Sequence, residues 1–132
     1  MRALLLRVGD DLFAVPMEVA REVVVAPTLS VLPTAPASVA GVFNLRGEIV
    51  PVFDTARLAG LAGLASVAYV AVVETGLGPA GLAMSEVGES VELGEPLGAT
   101  ETPGTVASYS LGTRLVVLID VETLLAPARI AT

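Results

Sequence analysis

No apolar stretch in this chain runs far before a turn residue stops it. Gly9-Asp10, Pro16, Pro27, Pro33, Pro36, Gly47, Gly76-Leu77-Gly78-Pro79, the glycine- and proline-containing segment 94–104 and Gly112 punctuate it. Turn signals at intervals of roughly 8 to 12 residues, with β-branched and apolar residues between them, are the pattern of a barrel or sandwich of short strands. Long helices have no room here. The spacing predicts about eight to ten strands.

The strands read as follows. Ala3 to Val8 and Asp11 to Val15 form a hairpin around Gly9-Asp10. Pro16 opens a short helix over Met17 to Arg21, and Glu22 to Ala26 is extended. Residues 27–38 form a loop, because each proline turns its predecessor away from the helical region. Val42 to Leu45 and Glu48 to Phe53 are strands joined at Gly47, whose lack of a side chain allows a tight connection. Pro51 predicts that the second of these is an edge strand or carries a bulge. Thr55 to Leu61 is a short helix with Asp54 as its N-cap. Val67 to Glu74 and Ala80 to Met84 are paired strands, Glu86 to Leu93 is ambiguous, and Val106 to Leu111 with Arg114 to Val121 is the last hairpin. Glu122 to Ala126 closes the chain as a helix, with Asp120 as its N-cap.

The 132 residues suit one domain, and the Gly/Ala-rich segment 59–66 is the candidate joint between two lobes. Hydrophobic residues make up 54% and charged residues 16%, below the usual quarter, so apolar surface is expected to remain outside and meet a partner. The net charge is −7, and the seven basic residues are scattered arginines. Without a basic stripe to neutralise phosphates, nucleic-acid binding is not expected. The apolar run Ala3 to Leu6 is too short for a signal peptide. The longest uncharged run, Leu58 to Val73, falls short of a membrane helix. A cytoplasmic protein with no direct membrane insertion is expected.

The missing residue types exclude most chemistry. There is no Cys, His, Lys or Trp. Thiol catalysis, Cys/His zinc sites, Ser-His-Asp triads, Schiff bases and the P-loop lysine are thereby excluded. No cofactor is expected. Glu86, Glu89, Glu92 and Glu95 recur every third residue. Without another ligand type nearby they read as a solvated acidic edge. The segment GLGPAG at 76–81 resembles a dinucleotide loop only superficially, since Pro79 interrupts it and no helix follows.

The stretch VAGVFNLRGEIVPVFD, residues 39–54, is the most informative. Alternation puts Phe43 and Leu45 on a core face and Asn44 and Arg46 on the opposite one. A guanidinium in so apolar a setting needs a partner, and Glu22 and Glu48 are the acidic candidates.

The segment Gly41-Val42-Phe43-Asn44-Leu45-Arg46-Gly47, followed by Pro51 and Asp54, resembles the hallmark of the CheW-like domain family, GV-x-NLRG-x-x-x-P-x-x-D. Flanking blocks agree in order: GDDLFAVPMEVAREVV, VLPTAPASVAG, AGLAMSEVGESVEL (as a second-lobe strand pair) and GTRLVVLIDVETLL. Two departures stand out: Arg57 comes one place late after Asp54, and Met84-Ser85 stands where the family has Val-Asp.

The resemblance implies a mainly β fold of two five-stranded SH3-like barrel lobes with a shared hydrophobic seam and a few short helices, in one domain over residues 1–132. It implies a non-catalytic adaptor that couples methyl-accepting chemoreceptors, at their cytoplasmic tips, to the regulatory domain of a CheA-type histidine kinase, at membrane receptor arrays, and that is a monomer alone. By position it assigns Glu22 and Arg46 to a structural pair beside the receptor groove. Asn44 and Gly47 become shaping residues, and Ala20, Val23 and Gly41 groove-lining ones. The alternatives are an adaptor of a pilus-driven or other chemosensory pathway, a small-ligand-binding β-barrel, and a carboxylate-dependent enzyme.

Overall fold

A computed structural model describes residues 1–86 and 88–130. Eleven strands and three one-turn helices follow one another: β1 Arg2–Val8, β2 Asp11–Pro16, β3 Ala20–Val25, β4 Val39–Leu45, β5 Glu48–Phe53, α1 Thr55–Leu58, β6 Tyr69–Thr75, β7 Gly78–Met84, β8 Ser90–Glu92, β9 Gly98–Ala99, β10 Thr105–Leu111, β11 Arg114–Ile119, α2 Val121–Leu124 and α3 Pro127–Ile130. One sheet has five strands in the order β3-β6-β7-β5-β4, and the other six in the order β8-β1-β2-β11-β10-β9. The sixth member, β9, is only two residues long.

The two sheets interleave along the chain. The first hairpin enters the six-stranded sheet, β3 to β7 build the other, and β8 to β11 return to the first. The chain therefore passes from one sheet to the other between β2 and β3 and back again between β7 and β8. Segment 59–66 lies in the connection between α1 and β6, and β6 belongs to the five-stranded sheet. The block AGLAMSEVGESVEL, read as one strand pair, is split: β7 pairs with β6 and β8 pairs with β1.

Strand periodicity explains where the large apolar content goes. Ala3 and Leu5 of β1 enter the interior of the six-stranded half, packing with Leu12, Ala14, Tyr109 and Leu118. Leu4, Leu6 and Val8, pointing the other way, enter a cluster shared by both sheets. On β6, Val70 and Val72 fill the five-stranded half with Phe43, Leu45, Val50 and Val52. Ala71 and Val73 face the shared cluster, beside Leu82, Met84, Ile119 and Leu124. Strands buried on both faces carry no polar alternation, so the surplus expected to meet a partner goes largely into this internal seam. Ten large apolar side chains still remain exposed among the described residues, Leu77 the most at 88%.

Local structure departs from the sequence expectations at several points. Met17 to Arg21 is not a helix. Residues 17–19 form a turn, and Ala20 and Arg21 already belong to β3, whose ladder with β6 satisfies more backbone groups than one isolated helical turn would. β5 is an interior strand and not an edge, and its ladder with β4 carries a register shift between Val39 and Gly41, opposite Phe53 and Val52. Its contact with β7 spans only Val52 and Phe53, so the proline's missing N–H falls outside that ladder. Asp54 caps α1 as expected, accepting from the Arg57 amide at 3.3 Å and also from the Leu64 amide at 3.1 Å. Asp120 occupies the equivalent place before α2, but its carboxylate accepts from the Thr123 hydroxyl at 2.8 Å and makes no bond to a helix amide.

Candidate functional site

The β4–β5 hairpin closes in two residues, Arg46 and Gly47, between the paired Leu45 and Glu48. Both have positive φ, 49° and 91°, the requirement of a type I′ turn. Glycine adopts this freely. A non-glycine residue in the left-handed region costs on the order of 1–2 kcal/mol. Asn44 offsets part of this by accepting a hydrogen bond from the Gly47 amide at 2.9 Å on its Oδ1. The hairpin thus projects Arg46 from its tip rather than from the strand face.

The Arg46 guanidinium meets Glu22 with both terminal nitrogens: Nη1 donates to Oε1 at 3.0 Å and Nη2 to Oε2 at 2.5 Å. Such fork-on-carboxylate geometry fixes orientation as well as charge. Glu22 lies on β3 and Arg46 follows β4, and these are the two edges of the five-stranded sheet. The pair therefore bridges edges that share no ladder, and the sheet curls towards closure. Farther along, the loop after β3 completes the same closure: the Ser30 amide donates to the Val42 carbonyl at 2.8 Å, and the Ser30 carbonyl accepts from the Val42 amide at 3.0 Å. Gly41 is required there, because a Cβ would stand 2.8 Å from the Ser30 carbonyl oxygen.

Three residues outside the expected set, Arg21, Glu48 and Glu74, complete the site. Arg21 donates to Glu48 at 2.7 Å and to Glu74 at 3.2 Å, and its Nε lies 3.8 Å from Glu22. Glu48, the nearer candidate for Arg46, is thus held by Arg21. The Arg46 hydrogen bonds hold the Glu22 carboxyl below its usual range, against a smaller opposing effect of desolvation. Glu48 is lowered in the same way by Arg21. Both guanidinia are correspondingly raised, Arg46 chiefly by Glu22 and Arg21 chiefly by Glu48. The sequence places Arg21 at the end of a short helix, apart from the extended segment that begins at Glu22, whereas both belong to β3. In the structure Ala20 pairs with Val73 and Glu22 with Val72, so Arg21 sits in a bulge that brings it to the same rim.

The seven expected site residues fall into two groups. Glu22, Arg46, Asn44 and Gly47 converge at one end of the five-stranded half. Ala20 and Val23 pack half-buried against the shared seam, and Gly41 is buried beneath the loop after β3. The two interiors are filled with side chains, whereas a ligand-holding barrel needs a cavity. The grooves lie between elements. One of about 330 Å³ is apolar and lined by residues including Pro51, Phe53, Leu77 and Ile130. The acidic series is spread along an exposed edge, with Glu86 3.8 Å from Arg7 and Glu92 2.9 Å from the amino terminus. Among the described residues no helix is long and apolar enough to cross a membrane, and no group of three or more carboxylates is placed to hold a metal ion.

Two β-sheets, each with its own packed interior, sharing a seam and presenting a charged rim, define a mainly β domain. The family model of the CheW-like domain matches residues 2–129, and the chain belongs to that family, whose members are non-catalytic scaffolding adaptors. Among solved structures, the scaffolding protein TtCheW from Thermoanaerobacter tengcongensis is similar in fold, with a TM-score of 0.81 at 22% identity over 95% of this chain and 92% of that one. No curated protein matches the chain.

Proposed function

We propose that this domain is a cytoplasmic adaptor that couples the cytoplasmic tips of methyl-accepting chemoreceptors to the regulatory domain of a CheA-type histidine kinase, as a monomer recruited to receptor arrays at the membrane. The Glu22–Arg46 pair carries the reading. Arg46 holds an unfavourable left-handed backbone and is 64% exposed. The type I′ turn accounts for that backbone, and it holds the guanidinium out at the hairpin tip, where a partner can reach it. Glu22 and Arg46 shape the receptor surface, with Asn44 and Gly47 holding the hairpin tip. Ala20, Val23 and Gly41 support it from beneath, setting the position of β3 and of the loop that follows.

Copurification tests this. The purified domain is expected to retain both a CheA-type kinase and a receptor cytoplasmic fragment, and Arg46→Ala to lose the receptor while keeping the kinase. Retention of neither by the unsubstituted protein overturns the proposal.

A further inference from the structure

The rim holds three carboxylates, Glu22, Glu48 and Glu74, and two guanidinia, Arg21 and Arg46. Arg46 therefore has a choice. Its own hairpin presents Glu48 two residues away, across the turn, close enough for each to feel the other's charge. Glu22 lies on another strand. A local partner normally has the advantage, since it needs no tertiary contact. Yet Arg46 uses both terminal nitrogens on Glu22.

Arg21 accounts for the outcome. It occupies Glu48 at 2.7 Å and anchors itself on Glu74 of β6 at 3.2 Å. It is also the better sheltered arginine, 29% exposed against 64% for Arg46. The bulge at Arg21 makes this possible, because in a regular strand Arg21 and Glu22 would leave on opposite faces.

We propose that Arg21 is a positioning residue: by engaging Glu48 and Glu74 it withdraws the competing carboxylate and commits Arg46 to Glu22, which presets the receptor-binding rim. The last clause rests on the adaptor reading above; the competition for Arg46 does not.

Three variants test it: Arg21→Gln, Arg21→Lys and the double variant Arg21→Gln/Glu48→Gln. Side-chain carboxyl NMR during a pH titration reads the pair directly. In Arg21→Gln the Glu22 midpoint should rise towards an ordinary carboxylate value and Glu48, which loses its Arg21 bond, should rise only in part, because Arg46 now divides itself between them. In the double variant the Glu22 midpoint should fall again, and Arg21→Lys should keep part of the effect. Receptor-fragment affinity should follow, about three- to fivefold weaker in Arg21→Gln, as befits an exposed charge pair, and recovered in the double variant. An unchanged Glu22 midpoint in Arg21→Gln overturns the proposal. So does a loss that the double variant fails to restore, which would mark Arg21 as a residue of the fold only. If the unsubstituted protein binds no receptor fragment, the adaptor reading fails while the NMR arm still decides the role of Arg21.

Discussion

Glu22 on one edge strand and Arg46 beyond the other are joined by two hydrogen bonds, although their strands stand at opposite ends of the sheet order. The contact belongs to closure of the five-stranded half and to its surface at once. Because Arg46 is exposed, its removal leaves no charge stranded in the interior. Arg46→Ala and Glu22→Ala are therefore expected to weaken receptor-fragment binding by about tenfold, as the loss of an interface anchor does. Melting temperature should hardly move, as for exposed ion pairs generally. Calorimetric titration beside thermal melts separates the two effects; a large fall in melting temperature with unchanged binding would make the pair purely structural.

Acid should weaken the fold through the same residues. The Glu22 and Glu48 carboxyls titrate below the ordinary 4.5 in the folded protein, and Glu92 joins them through its hydrogen bond from the amino terminus. The unfolded chain takes up these protons first as pH falls. The stabilisation is thus fully present above the ordinary carboxylate value and disappears as pH drops through the lower folded values. Urea midpoints should stay level from neutral pH down to about 5 and then decline. Glu22→Gln/Glu48→Gln should show a shallower decline, and added salt should reduce the difference.

Gly41 is a steric position. A methyl group there would sit 2.8 Å from the Ser30 carbonyl oxygen and 3.1 Å from the Leu29 Cβ. Since backbone must shift, Gly41→Ala should cost about 1–3 kcal/mol. Gly94→Ala, which meets nothing within 4 Å, should stay within about 0.5 kcal/mol of the unsubstituted protein. Chemical denaturation of both variants makes the comparison.

The shared seam should dominate stability. Leu82 is fully buried there. Leu82→Ala is expected to cost about 2–5 kcal/mol. Leu77→Ala, at an exposed hairpin tip, should change stability by less than about 0.5 kcal/mol. Equal effects in denaturation would contradict the seam's role.

The strand hairpins, the loop at 27–38, the cap at Asp54 and the exposure of Asn44 and Arg46 could be read from local pattern, because turn residues and period-two alternation are properties of neighbours in the chain. The NLRG segment with its flanking blocks also carried the family and, through it, the pairing of Glu22 with Arg46. Tertiary structure decided the rest. The bulge that turns Arg21 onto the rim depends on the register of β3 against β6, and no residue at 20–22 announces it. The fate of Met17 to Arg21 rested on the same pairing, which won over a local helical tendency. The surplus of apolar residues was expected to leave some apolar surface outside, and ten large apolar side chains are exposed among the described residues; which of the others fill the seam was decided by the packing of the two sheets. Interior placement of β5, in spite of Pro51, followed from how few residues it shares with β7. Alternation and turns act over a few residues, whereas register, bulges and sheet order depend on strands far apart in sequence, and those contacts form only when the whole chain is folded.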